Sequence, residues 1–114
     1  MINSASAYCQ AEFSFKKNTV KFPKTKEGIV LKTQYEFTNT GNQPLIISEI
    51  KVACTCTKFE FPKEPIKPGE KGIIHVSFDT KDKIGFQDRT LDIYSNAKKN
   101  PTKIRFKVMV DNKK

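Results

Sequence analysis

Along several stretches of this chain apolar residues take every second position, and clusters of Gly, Pro, Asn and Asp part the stretches at intervals of about ten residues. Ile29, Leu31, Thr33, Tyr35 and Phe37 share one parity, while Lys32, Gln34 and Glu36 take the other. Successive side chains of a strand point to opposite faces, so this run reads as a strand with one buried and one wet face. Ile74, Val76 and Phe78 alternate in the same way with Ile73, His75 and Ser77. Near the end, Ile104, Phe106, Val108 and Val110 oppose Lys103, Arg105 and Lys107, and Leu91 with Ile93 marks the strand before. Residues 11–15 and 19–22 predict short edge strands carrying Phe13, Phe15, Val20 and Phe22, and Phe59 with Phe61 predicts another.

The run from Leu45 to Thr57 divides into Ile46, Ser48, Ile50, Val52, Cys54 and Cys56 on one face and Leu45, Ile47, Glu49, Lys51 and Ala53 on the other. Ile50 and Val52 select the first set as the inward face, and both cysteines with it, provided no bulge intervenes. Turns follow from residues that tolerate positive φ or preset an extended backbone: Pro23–Gly28, Thr40-Gly41-Asn42 before Pro44, Pro62–Gly69 and Asn96–Pro101. Asp79–Asp88, with Gly85, reads as a polar hairpin loop in which Phe86 has no core slot. No stretch has a helical period. Seven or eight antiparallel strands at this spacing predict an all-β, immunoglobulin-like β-sandwich.

Size narrows the picture to one unit. A chain of 114 residues buries a single core, so residues 11–114 are expected to form one immunoglobulin-like domain after a disordered or leader-derived segment, 1–10. Hydrophobic residues make up 37%, which suits a sandwich, because only alternate strand residues need be apolar. Nine Phe and no Trp supply the aromatic volume. The net charge of +9 comes from 21 basic and 12 acidic residues, yet only Arg89 and Arg105 are arginines. Readers of nucleic acid use arginine forks and interleaved aromatics. Scattered lysines instead guard strand faces and edges, so no nucleic-acid partner is expected. No apolar stretch is long enough to cross a bilayer as a helix.

Four markers together resemble a known family: Phe37-Thr38-Asn39-Thr40-Gly41-Asn42-Gln43-Pro44-Leu45, Cys54-Thr55-Cys56-Thr57, Pro68-Gly69-Glu70 after a lysine-proline turn, and Ser95-Asn96-Ala97. The chain resembles the bacterial domain-of-unknown-function family fifteen-seventy-three over about Val20–Val110. That family is frequent in Bacteroidetes envelopes and is related to major-sperm-protein and PapD-like sandwiches. The resemblance implies the sandwich fold and a place in the periplasm or outer envelope, and it carries over no activity, since the family has none established. Family members commonly read Ser-Cys-Gly-Cys-Thr where this chain has Ala53-Cys54-Thr55-Cys56-Thr57. Members also often carry Asp-Phe-Gly near the start, of which only Phe22 in Lys21-Phe22-Pro23 matches.

Candidate chemistry is confined to Cys9, Cys54, Cys56 and His75, the chain's soft ligands. Cys54 and Cys56 are read in three ways: as a thiolate pair for Cu(I) or Zn²⁺ that His75 could join, as a strained redox disulfide, or as structural residues, either small buried hydrophobes in the sheet or one of them paired with Cys9. His75 falls on the parity opposite its strand's apolar set and is expected to face solvent. Cys9 after Ala5-Ser6-Ala7-Tyr8 resembles a bacterial lipoprotein cleavage site, which makes it a candidate lipid attachment point. No nucleophile, phosphate loop or calcium loop stands out, so no catalytic residue, cofactor or metal is expected. The reading is a non-catalytic module of the cell envelope that binds a protein partner or envelope component through strand edges and end loops, with Phe86 as the leading contact. The alternative is a metal- or redox-active domain built on Cys54-Thr55-Cys56.

Overall fold

The computed structural model describes residues 10–53 and 55–112. Nine strands run β1 (Phe13–Phe15), β2 (Thr19–Lys21), β3 (Thr25–Lys26), β4 (Val30–Asn39), β5 (Ile47–Val52), β6 (Thr57–Glu60), β7 (Lys71–Asp79), β8 (Gly85–Ser95) and β9 (Thr102–Asp111). One sheet has the order β1-β4-β7-β6; the other has β2-β9-β8-β5, with β3 also paired to β9. The two layers form the expected immunoglobulin-like sandwich. Most pairs are antiparallel, but β2 and β3 lie parallel to β9. The lysine-rich segment after Pro23 is therefore not turn alone, since Thr25 and Lys26 prolong the sheet's edge.

Burial follows the alternation where a strand is flanked on both sides. In β7, Ile74, Val76 and Phe78 are buried while Ile73, His75 and Asp79 are exposed. In β9, Ile104, Phe106, Val108 and Val110 point inward. Tyr35 and Phe37 of β4 complete this core. Phe78 and Phe106 meet across the layers with ring centroids 5.1 Å apart, and Phe13 stands edge-on to Phe37 at 5.0 Å. Such contacts add to the large apolar area each ring removes from water. The Tyr35 hydroxyl donates 2.7 Å to the Arg105 carbonyl of the opposite sheet, and burial holds its proton well above the ordinary tyrosine range.

Asn39, fully buried at the end of β4, explains the Phe37–Leu45 marker. Its Nδ2 donates to the carbonyls of Gln43 (2.7 Å) and Ile66 (2.9 Å). Its Oδ1 accepts from the backbone N–H of Gly41 (2.9 Å) and Glu12 (3.2 Å). One amide thus satisfies the turn that follows it, the loop before β7 and the approach to β1, where buried backbone groups would otherwise lack partners. Gly41 is required by close approach, because a Cβ there would overlap the Gln10 carbonyl oxygen.

The long run beginning at Leu45 departs from its pattern. Leu45 and Ile47 are buried and Ile46 is 47% exposed, the reverse of the expected parity. A bulge between Ile47 and Glu49 shifts the register against β8, and Ile50 returns to the inside. The strand also stops at Val52, and the chain crosses to the other sheet to start β6 at Thr57.

Candidate functional site

One end of the sandwich gathers most of the exposed large hydrophobic side chains. It is built from the β3–β4 turn, the β7–β8 turn and the end of β9, which antiparallel register brings together: Val30 pairs with Asp79, and Phe86 with Met109. Ile29, Val30, Ile84, Phe86 and Met109 are all exposed there. Buried Thr80 ties the two turns, its hydroxyl donating 2.6 Å to the Ile29 carbonyl. The Lys81 N–H caps on Asp79 Oδ1 at 2.9 Å, and the Asp82 N–H reaches Glu27 Oε2 at 2.8 Å. Gly85 starts β8 at φ 98°, a left-handed value that a side chain would resist.

Phe86 is a strand residue rather than a loop residue, which corrects the expected hairpin loop at Asp79–Asp88. The turn ends by Ile84 and β8 has begun at Gly85. Phe86 lies on the outer face and is 58% exposed. Polar neighbours Gln87 and Asp88 hid the strand, because the first half of β8 carries no apolar inward residue. Ile29, expected on the inward parity of its strand, is exposed because β4 starts only at Val30, and Val30 and Met109 were missed as surface residues. Their signal was a break in alternation, for Ile29-Val30-Leu31 and Val108-Met109-Val110 are apolar runs whose middle member must face outward.

The sulfur chemistry narrows. Cys56 is disulfide-bonded and half-buried beside the core. A disulfide sulfur is not the thiolate that a soft metal takes, so in this form Cys56 offers no such ligand. Cys9 and Cys54 lie outside the described residues, as do the candidate lipid attachment and the proposed Cys54–Cys56 pair. His75 is exposed on β7, as its parity required. Among the described residues no three His, Cys, Asp or Glu side chains cluster closely enough to hold a metal ion. No described helix is long and apolar enough to cross a membrane.

On the outer face of the β9–β8 pair, Arg105 grips Asp88 through two bonds, Nε at 2.8 Å and Nη2 at 2.7 Å. The bond from Arg105 holds the Asp88 carboxyl below its ordinary range and, reciprocally, raises the guanidinium. Lys103 donates 2.8 Å to Asp92 one step along the strands.

A two-layer sandwich with Asn39 pinning its turns, and with apolar side chains at one end, defines the chain as a small immunoglobulin-like domain. Residues 13–110 match the family described as a protein of unknown function (DUF1573), and the chain belongs to that family. A comparison with curated proteins finds no match. Among solved structures, the chain is similar to a protein of unknown function from Porphyromonas gingivalis, with TM-score 0.77 and 17% identity over 90% of this chain and 48% of that one. It therefore spans about half the length of that protein. PapD-like domain 7 of human CEP192 superposes with TM-score 0.62 at 13% identity, covering 98% of this chain and 89% of that one. The secreted serine protease VesC of Vibrio cholerae gives TM-score 0.66 at 14% identity, over 95% of this chain and a quarter (25%) of the protease. Identities this low show a shared fold alone.

Proposed function

We propose that this domain is a non-catalytic binding module of the bacterial cell envelope, periplasmic or lipid-anchored, working through its strand edges and end loops. The observation that carries the reading is the apolar end formed by Ile29, Val30, Ile84, Phe86 and Met109. Large exposed apolar side chains cost solubility, and a protein gathers several of them at one end chiefly where something docks. The disulfide at Cys56 suits an oxidising compartment such as the periplasm.

The test is crosslinking capture from native envelopes, run side by side with the wild-type protein and Phe86→Ala. Phe86 is exposed, so the variant should keep the wild-type melting temperature while losing most of the captured partner. Equal capture by both proteins would remove this end from the reading. Loss of folding would show that Phe86 supports the sandwich instead.

A further inference from the structure

At one side of the sandwich the two sheets are out of step. β5 pairs with β8 only from Ile47–Ser95 to Val52–Leu91, and the chain then leaves for β6. Among the described residues, the backbone of Gly85–Thr90 pairs with β9 and with no other strand, so its second edge is free. The step leaves a cleft of about 670 Å³ lined by both of the chain's arginines, with Lys51, Lys103, Asp88 and Asp92. Arg105 and Lys103 are neutralised by Asp88 and Asp92. Lys51 lies 3.9 Å from Glu49.

Among the described residues Arg89 has no carboxylate partner. It projects from the inward face of β8, its guanidinium 5.6 Å from the centre of the Phe78 ring. Its Nη2 donates 2.6 Å to the neutral Gln87 amide, and its buried Nε has no acceptor among the described residues. A buried donor left unpaired is costly, and a guanidinium presents a fork shaped for a carboxylate. An inward-pointing charge on a free edge repels the apolar strands that would otherwise add to it. The same charge favours one kind of strand, that which brings its own carboxylate.

We propose that this cleft receives an extended peptide segment of a partner protein, laid along the free edge of β8 with an aspartate or glutamate opposite Arg89. The inference rests on the binding-module reading and names a site and a partner chemistry for it. A residue directly opposite Arg89 on an added strand places its Cβ about 5 Å away on the same face, within reach of a bidentate pair. The backbone ladder supplies affinity, and the Arg89 pair supplies choice of sequence. A small free anion would use the guanidinium and leave the edge of Gly85–Thr90 unpaired, so the extended segment is the better fit.

A library of random linear nonapeptides displayed on beads, selected against the intact protein, tests this. Selected peptides should share an Asp or Glu within an alternating apolar sequence. Arg89→Gln should weaken one such peptide by about tenfold to a hundredfold, the worth of a bond to a charged group. Changing the peptide's acid to its amide should cost the same, and the two losses should not add. Arg89→Gln should melt with the wild type, and amide shifts on titration should centre on residues 85–91. Selected peptides that lack an acid, or that bind Arg89→Gln unchanged with shifts elsewhere, would overturn the cleft while leaving the module reading intact. Complete competition by free glutamate at equal concentration would also overturn it, in favour of a small-anion site. Recovery of no peptide at all would overturn it too, and the Phe86 capture experiment then decides the module reading by itself.

Discussion

Replacing Asn39 by alanine should be among the most damaging single changes open to this domain. The side chain makes four hydrogen bonds, and its loss strands the N–H groups of Glu12 and Gly41 and the carbonyl of Gln43. The Ile66 carbonyl keeps one partner, the Leu45 N–H at 2.8 Å. A buried backbone group left without a bond costs about 1–3 kcal/mol, and groups near a turn recover part of this from water. Three such groups at the lower end of that range, with partial rescue, give a loss of about 2–4 kcal/mol. For a domain of this size that lowers the melting temperature by roughly 10–20 °C. Urea unfolding followed by circular dichroism measures it, with Asn42→Ala as control, since the Asn42 side chain is exposed and its turn contact is made by backbone. The control should stay within about 0.5 kcal/mol of wild type. An Asn39→Ala loss below about 1 kcal/mol at unchanged denaturant slope would refute the claim that this amide organises the end of the sandwich.

Two further outcomes follow from the core and the turns. Gly41→Ala should cost about 1–3 kcal/mol, because its methyl group must displace the Gln10 backbone; a wild-type melting curve would show that this segment yields freely. Tyr35 predicts alkaline sensitivity with a definite sign. An unfolded tyrosine ionises near pH 10, while the buried hydroxyl keeps its proton to higher pH. Its contribution is therefore complete below about pH 10 and drains away as pH rises further, at up to about 1.4 kcal/mol per pH unit. Tyr35→Phe should lose about 1 kcal/mol at neutral pH for the missing bond to Arg105, and should flatten the decline above pH 10. An unchanged alkaline slope in that variant would sink the assignment.

Much of the architecture was legible residue by residue. In β4, β7 and β9 the alternation named the buried set, because a two-residue period is a property of the extended backbone itself and needs no knowledge of neighbours. His75 was placed on the wet side by the same parity. The spaced turn residues separated the strands, and the markers from Phe37 to Ala97 pointed to the family. The inward residues of β8 were legible only from Leu91 onward, where β5 covers the strand.

What the chain could not disclose locally were the features set by pairing between distant segments. The bulge between Ile47 and Glu49 inverts a face, and it arises from register against β8 rather than from any residue in the run. Phe86 became a strand residue because β9 reaches it through Met109, and it is exposed because no described residue covers that face. Arg89 was one basic residue among 21 until the early end of β5 opened a cleft beside it. Local alternation determined the layers and their core, since burial within a strand depends on parity alone. The apolar end, the free edge and a guanidinium with no carboxylate among the described residues were decided by tertiary structure, since each depends on where a partner strand stops.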